Sequence, residues 1–408
     1  MHDSVLVLDF GSQYTQLIAR SVRELQVYSE IKPCTIKPPC GSAPKPKALI
    51  LSGGPASVKD PDAPAFDPAW LEIGVPILGI CYGMQLIAHC LGGKLGSGSL
   101  REYGHALLEV PEQSPLFEGF TSDQKISVWM SHGDHVQTAP EGFVVLAKSS
   151  DLPVAAMGDP RRQIYGLQFH PEVVHTERGQ EVLANFLYGI AGCKPDWNPA
   201  NFIDTNTRRI SEIVAPQSSV VCGLSGGVDS AVAACLVHRA IGSRLHCIFV
   251  NNGLLRKNEV EEVLRGLGFE GLGLNIRVVD AAGRFLDALK GVTAPEQKRK
   301  IIGRVFIEVF EEEAAKVPHT THLVQGTVYP DVIESVSVKG PSATIKSHHN
   351  VGGLPETMQL ALIEPLRELF KDEVRRIGRD LGLPDTIIGR QPFPGPGLAV
   401  RVVGEVSF

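Results

Sequence analysis

Twice along this chain, short runs of Val, Ile and Leu alternate with segments of helical periodicity, and no other feature restricts the fold so strongly. In the first stretch, strand-like runs at residues 5–9, 48–51 and 76–80 are separated by helical patterns at about 13–25 and 83–91. Residues 106–110, 125–130, 143–148 and 164–169 then read as strands, and a helix at about 177–190 closes the region. In the second stretch, strands at 220–224, 246–250 and 276–279 alternate with helices at 229–240 and 258–267. Strand–helix–strand alternation implies parallel strands joined by right-handed crossovers. The expected fold class is therefore α/β, with two doubly wound domains built on mainly parallel sheets.

The break between them falls where apolar periodicity stops and Gly192, Lys194, Pro195, Asp196, Asn198 and Pro199 supply turn and linker residues. This gives a first domain at 1–192, a linker at 193–200, a second domain at 201–395 and a short remainder at 396–408. A length of 408 residues suits two or three domains at roughly 100–200 residues each. Residues 296–316 mix apolar positions at three-and-four spacing with dense charge, the pattern of an amphipathic helix with a solvated face, and that charge is given no function.

With 43% apolar and 21% charged residues, the composition excludes disorder over most of the chain. The net charge of −6 supplies no basic field for nucleic acid or anionic membranes, so partners are expected to be small molecules and any phosphate must be gripped locally. The eight cysteines form no C-x-x-C pair, which argues against a disulfide scaffold or structural zinc and for a reducing compartment. The apolar segment at 5–10 is too short for a signal peptide, and no later run reaches the ~20 residues of a membrane span. A cytoplasmic location is expected.

Gly79-Ile80-Cys81-Tyr82-Gly83 stands between a strand and a helix, where glycines allow the sharp turn that lifts a nucleophile above a sheet edge. Cys81 is the candidate nucleophile, with its thiolate favoured by the positive end of the following helix. Phe169-His170-Pro171-Glu172, at another strand end, offers a base and a carboxylate to orient it. After a third strand, Leu51-Ser52-Gly53-Gly54-Pro55 presents the backbone N–H of Gly54, which with that of Tyr82 would stabilise a tetrahedral oxyanion. The other seven cysteines read as buried filler, and His132 and His135 as polar surface or core residues.

In the second domain, Ser225-Gly226-Gly227-Val228-Asp229-Ser230-Ala231 ends a strand and opens a helix, so that consecutive N–H groups, two hydroxyls and the helix dipole converge on an anion. The lysine of a G-x-x-x-x-G-K-[ST] loop is missing, which argues against γ-phosphoryl transfer. Gln325-Gly326-Thr327-Val328-Tyr329-Pro330-Asp331 brings a further glycine and carboxylate. Lys346, His348 and His349, beside Gly352-Gly353, are expected in a mobile loop where the lysine would reach phosphate and adjacent histidines make a poor metal site. The run from Arg390 to Gly397 reads as a Pro-stiffened wall or as a linker.

Taken together, the motifs around Cys81, His170 and Ser131-His132-Gly133-Asp134 resemble the class I glutamine amidotransferase domain, and the Ser225 loop resembles that of the N-type ATP pyrophosphatases, of the adenine-nucleotide alpha-hydrolase type. The order of the two, with Ser347-His348-His349-Asn350-Val351-Gly352-Gly353-Leu354-Pro355 and Pro392-Phe393-Pro394-Gly395-Pro396-Gly397, is similar to the glutamine-hydrolysing GMP synthetase family over residues 5 to about 406. The resemblance implies a C–N bond-forming ligase. Cys81, His170 and Glu172 would release ammonia from glutamine, and ATP held at Ser225 to Ala231 and Gly326 would adenylylate xanthosine 5′-monophosphate (XMP) for amination to GMP. It also implies Mg²⁺ on Asp229, with Asp331 as a second candidate ligand, and XMP or phosphate contacts from Lys346, His348 and His349.

Two departures stand out. Asn251 occupies a turn position at which the family has aspartate. The family pattern also continues for another domain of about a hundred residues that completes the nucleotide site and forms a homodimer, so 396–408 is read as its truncated start. Two alternatives stay open on sequence: an amidotransferase for another adenylylated acceptor, and a chain that binds glutamine or ATP without synthesis.

Overall fold

The computed structural model describes residues 3–110, 114–121, 124–336, 360–391 and 397–406. The chain divides into two compact units, Met1–Asn198 and Pro199–Phe408.

The first unit is built on nine strands: β1 (Ser4–Asp9), β2 (Tyr28–Pro33), β3 (Ala48–Leu51), β4 (Ile77–Ile80), β5 (Lys94–Glu109), β6 (Ile126–Thr138), β7 (Val144–Ser149), β8 (Ala156–Asp159) and β9 (Ile164–Leu167). Their order in the sheet is β2-β1-β3-β4-β9-β8-β7-β5-β6. The first five in that order pair in parallel, and the strand-rich region adds the remaining four antiparallel. β3, β4 and β9 are buried at every residue, as expected of strands covered on both faces. Helix α1 (Thr15–Glu24) buries the Ile18, Ala19 and Val22 stripe. Helix α2 (Tyr82–Cys90) is sunk more deeply, and its Tyr82, Met84 and Ile87 join Leu49, Leu51 and Met157 in the core.

Several boundaries differ from the sequence reading. β5 and β6 run well past the expected 106–110 and 125–130, so Ser131, His132 and Asp134 lie inside a strand. The last helix divides into α3 (Gly179–Ala184) and a π turn at Asn185–Ile190. Residues before the second unit pack on the first: Trp197 is buried, meets the Tyr28 ring at 4.7 Å and donates its backbone N–H to Gln26 O at 2.8 Å.

The second unit carries β10 (Ser219–Leu224), β11 (Leu245–Asn251), β12 (Ile276–Asp280), β13 (Thr320–Val324) and β14 (Ala361–Ile363), all parallel in the order β12-β11-β10-β13-β14. Its helices are α4 (Pro199–Ile213), α5 (Val228–Ile241), α6 (Glu259–Leu267), α7 (Ala282–Leu289), α8 (Pro295–Ala314), α9 (Tyr329–Val336), α10 (Lys371–Asp380) and α11 (Asp385–Ile388). The chain turns outward from β10 in both directions, which puts the topological switch point at the carboxyl ends of β10 and β13. Much of the charge on α8 is paired on the surface, as in Arg284 with Glu308 and Glu312. Lys298 departs from the solvated face expected of this helix: it is fully buried, and its Nζ donates to the carbonyls of Ala399, Val402 and Gly404 at 3.2, 2.9 and 2.6 Å.

Candidate active sites

The carboxyl ends of β1, β3, β4 and β9 lie side by side, so the segments that follow them share one edge of the sheet. Cys81 is the residue between β4 and α2. Its φ of 53° and ψ of −104° place an ordinary side chain in a region normally left to glycine. The flanking glycines make this turn possible. A Cβ on Gly79 would lie 2.6 Å from the backbone of Gly83, and one on Gly83 would lie 2.3 Å from Leu51 O. The Cys81 N–H is held by Leu167 O at 2.6 Å, and its Sγ lies 3.5 Å from Ser131 O.

Past β9, the chain brings up His170, which is only 3% exposed. Backbone contacts fix it: its N–H donates to Trp129 O at 3.1 Å, and the Thr176 hydroxyl donates to its carbonyl at 2.6 Å. Nδ1 meets Glu172 Oε1 at 2.7 Å, which leaves Nε2 as the ring atom for other work. Burial alone would push the imidazolium down, but the Glu172 charge, with hydrogen bonds to Cys81 and Glu172, outweighs it and lifts the group from 6.5 to about 10. His132, also buried, goes the other way. Burial, then the charges of His135 and His170, lower it to about 4, so it is neutral at physiological pH.

The proposed oxyanion donors are neighbours. A Cβ on Gly54 would approach Phe10 O to 2.9 Å and the Tyr82 ring to 3.3 Å, so only glycine lets this loop lie against the start of α2. The N–H of Tyr82, first residue of that helix, has no intrahelical acceptor.

At the switch point of the second unit, Gly227 caps α5 in an extended conformation, and the loop closes on its own hydroxyls. Ser230 Oγ accepts from Ser225 N at 3.2 Å, donates to Gly227 O at 3.1 Å and lies 3.0 Å from Ser225 Oγ. Gly326, just after β13, brings its backbone against this turn: a Cβ there would lie 3.1 Å from Asp229 C and 3.2 Å from Ser230 N. Asp229 Oδ1 is buried with no partner among the described residues, while Oδ2 sits 3.6 Å from Lys371 Nζ. Burial raises the Asp229 pKa, Lys371 opposes that and the charge of Asp331 adds to it. Asp331 Oδ2 accepts from Val328 N at 3.3 Å. Among the described residues no group of three or more His, Cys, Asp or Glu side chains is placed to hold a metal ion. A pair of carboxylates, one with an orphaned oxygen, fits a hard cation that takes its other ligands from phosphate and water.

Comparison with known proteins agrees with both halves. Residues 6–190 match the class-I glutamine amidotransferase family and residues 203–283 the NAD synthase family. A GMP synthase [glutamine-hydrolyzing] from Solidesulfovibrio magneticus is 61% identical over 406 residues, covering 99% of this chain and 78% of that one. This chain belongs to the glutamine-hydrolysing GMP synthases. The family protein from Oleidesulfovibrio alaskensis is 58% identical over 405 residues, with the same 99% and 78% coverage.

Within this chain the structure brings Cys81, His170, Glu172, Gly54 and Tyr82 to one sheet edge, and Ser225 to Ala231, Gly326 and Asp331 to another. Lys346, His348 and His349 lie outside the described residues, as does the 392–396 part of the Pro-rich segment. Asn251, at the end of β11, spends its side chain locally: Oδ1 accepts from Gly253 N at 3.1 Å, and Nδ2 reaches Asp280 Oδ1 at 3.4 Å.

Four polar groups at the first site escaped the sequence reading. Gln168 Nε2 lies 3.7 Å from Cys81 Sγ, and its Oε1 is buried with no partner among the described residues. Gln85 Nε2 donates to Asp134 O at 2.7 Å, the Tyr14 ring stands edge-on to His170 at 5.0 Å, and Thr176 holds the His170 carbonyl. Gln168 and Gln85 carried a signal, as polar residues inside otherwise buried runs. Tyr14 and Thr176 carried none.

Proposed function

We propose that Cys81, His170 and Glu172 are the glutaminase residues and residues 225–231 with Gly326 the ATP site of a chain that makes GMP from XMP, with glutamine as nitrogen donor and ATP as activator. The observation that carries the reading is the His170–Glu172 contact at 2.7 Å beside a cysteine held in a glycine-like conformation, in a chain of which 99% aligns with 78% of a GMP synthase.

In the first step Cys81 Sγ attacks the carboxamide carbon of glutamine. His170 donates its proton to the departing nitrogen, ammonia leaves and a thioester remains. Water then adds with His170 taking its proton, and glutamate is released as the thiol reforms. Glu172 keeps the Nδ1 proton in place and favours the imidazolium, while the N–H groups of Gly54 and Tyr82 meet the oxyanion of each tetrahedral state. In the second unit, the C2 oxygen of XMP attacks the α-phosphorus of ATP and pyrophosphate departs into the N–H groups and hydroxyls of the Ser225 loop. Ammonia adds at C2 and AMP leaves. Asp229 and Asp331 would hold Mg²⁺, which neutralises charge on the pyrophosphate when bound.

The same division of labour assigns residues 1–192 to the glutaminase and 201–395 to synthesis. Lys346, His348 and His349 stay as candidates for XMP or phosphate contact. Among the described residues no helix is long and apolar enough to cross a membrane. A cytoplasmic site of action is proposed, supported by eight free cysteines. Homodimerisation, implied by the family pattern, is a separate proposal read by light scattering.

The test is XMP-dependent pyrophosphate release from ATP and Mg²⁺ with ammonium as nitrogen source. Release with equal GMP and AMP is expected. Glutamine hydrolysis without any XMP-dependent release would overturn the assignment of the second site.

A further inference from the structure

The loop between β10 and α5 is held from outside by one side chain. Arg390, which follows α11 and is only 8% exposed, donates from Nη1 to Gly226 O at 2.8 Å. The same Nη1 meets Glu259 Oε1 at 3.0 Å, and Nη2 meets Glu262 Oε2 at 2.5 Å. Glu259 is 4% exposed, and its second oxygen accepts the backbone N–H of Arg256 at 2.9 Å. Gly226 has a φ of +71°, and a Cβ there would lie 2.4 Å from Glu259 Oε1, so loop and ion pair fit together without space for a side chain.

A buried ion pair is a weak source of stability, because desolvating both charges offsets most of their attraction. What this one achieves is orientation. The carbonyl of Gly226 and the N–H of Gly227 belong to one planar trans peptide and point in opposite directions. Fixing the carbonyl on Arg390 turns the Gly227 N–H toward the side of Ser225 Oγ, which it faces at 3.4 Å. With the carbonyl released, the peptide can rotate and present an oxygen, in place of a donor, to phosphate.

We propose that Arg390, held by Glu259, is a positioning residue for the nucleotide loop, and that it keeps the Gly226–Gly227 peptide in the orientation that binds the polyphosphate of ATP. The proposal rests on the reading of residues 225–231 as the ATP site. Arg390 and Glu259 are assigned no contact with substrate. Each acts through the peptide that it orients.

The experiment measures the ATP dependence of XMP-driven pyrophosphate release, with saturating ammonium, in the full chain carrying Arg390→Met, Glu259→Gln, both together, or Ser230→Ala. Loss of a charge-assisted hydrogen bond should raise KM for ATP roughly tenfold or more in Arg390→Met, with a smaller change in kcat. Glu259→Gln keeps an acceptor for Arg256 and should raise it at least threefold. The double variant should be no worse than Arg390→Met, since both act through one peptide. Should Arg390→Met fail to fold, Glu259→Gln carries the test. A KM within twofold of the parent in the folded variants, with Ser230→Ala clearly impaired, overturns the clamp and leaves the ATP loop standing. If Ser230→Ala is also unchanged, the loop is not the ATP site and the clamp falls with it.

Discussion

At the residue scale the glutaminase chemistry depends on charge states. His170 holds its proton to about 10 because Glu172 and Cys81 outweigh burial. The glutaminase kcat/KM should therefore fall on the alkaline side through an apparent pKa near 10, far above the 6.5 of a free imidazole. Glu172→Gln removes the main raising charge and leaves burial opposed by Cys81 and the replaced side chain's weaker contact, so that limb should move down; a pH profile unchanged in Glu172→Gln would contradict the pairing. The stability linkage has a definite sign. A folded pKa raised from 6.5 to about 10 contributes stability that is complete below pH 6.5 and is lost as pH rises toward 10. Cys81→Ala should abolish glutamine-dependent synthesis and leave ammonium-dependent synthesis within about twofold of the parent, measured as GMP formed; glutamine use that survives would remove Cys81 as nucleophile. Most of these residues were legible in the sequence because turn geometry and chemistry coincide in short motifs. Tyr14 and Thr176 were not, because each reaches His170 from a segment with no motif of its own.

Elements place those residues, and here the sequence was readable where strands are buried on both faces. β3, β4, β10 and β11 announce themselves as apolar runs. β2 (YSEIKP) and β13 (TTHLV) do not, since half-polar strands gain their stability from neighbours instead of composition. The full extent of β5 and β6 was hidden for a related reason, since their pairing continues through the polar residues 131–135. The elbow at Cys81 depends on the close passage of α2 over β3. Gly83→Ala would put a methyl group 2.3 Å from Leu51 O, and the overpacking should cost about 1–3 kcal/mol and lower the melting midpoint of the protein. It should also depress glutaminase activity more than ammonium-dependent synthesis; equal losses in both would show a general rather than local defect. On α8, Lys298→Met would strip donors from three carbonyls at once, and a loss of about 1–3 kcal/mol is expected from leaving buried acceptors unpaired. Chemical denaturation measures it, and an unchanged midpoint would mean that water replaces the ammonium without penalty.

For the whole molecule, the two units put two half-reactions in one chain: one makes ammonia, the other an activated base that is useful only if ammonia reaches it before water does. The domain order, the two α/β sheets and the reaction class could all be read from sequence, because each sheet carries its loop at a strand end where ligands collect. Asp229→Asn should remove XMP-dependent pyrophosphate release with either nitrogen source, and release that persists at saturating Mg²⁺ would exclude Asp229 as the metal ligand. The most direct test of the account as a whole follows the nitrogen itself. With ¹⁵N-amide glutamine, ATP, Mg²⁺ and XMP, the intact chain should deliver the label to the 2-amino group of GMP, with one AMP and one pyrophosphate per label transferred. Labelled ammonia accumulating in solution with no labelled GMP would contradict it.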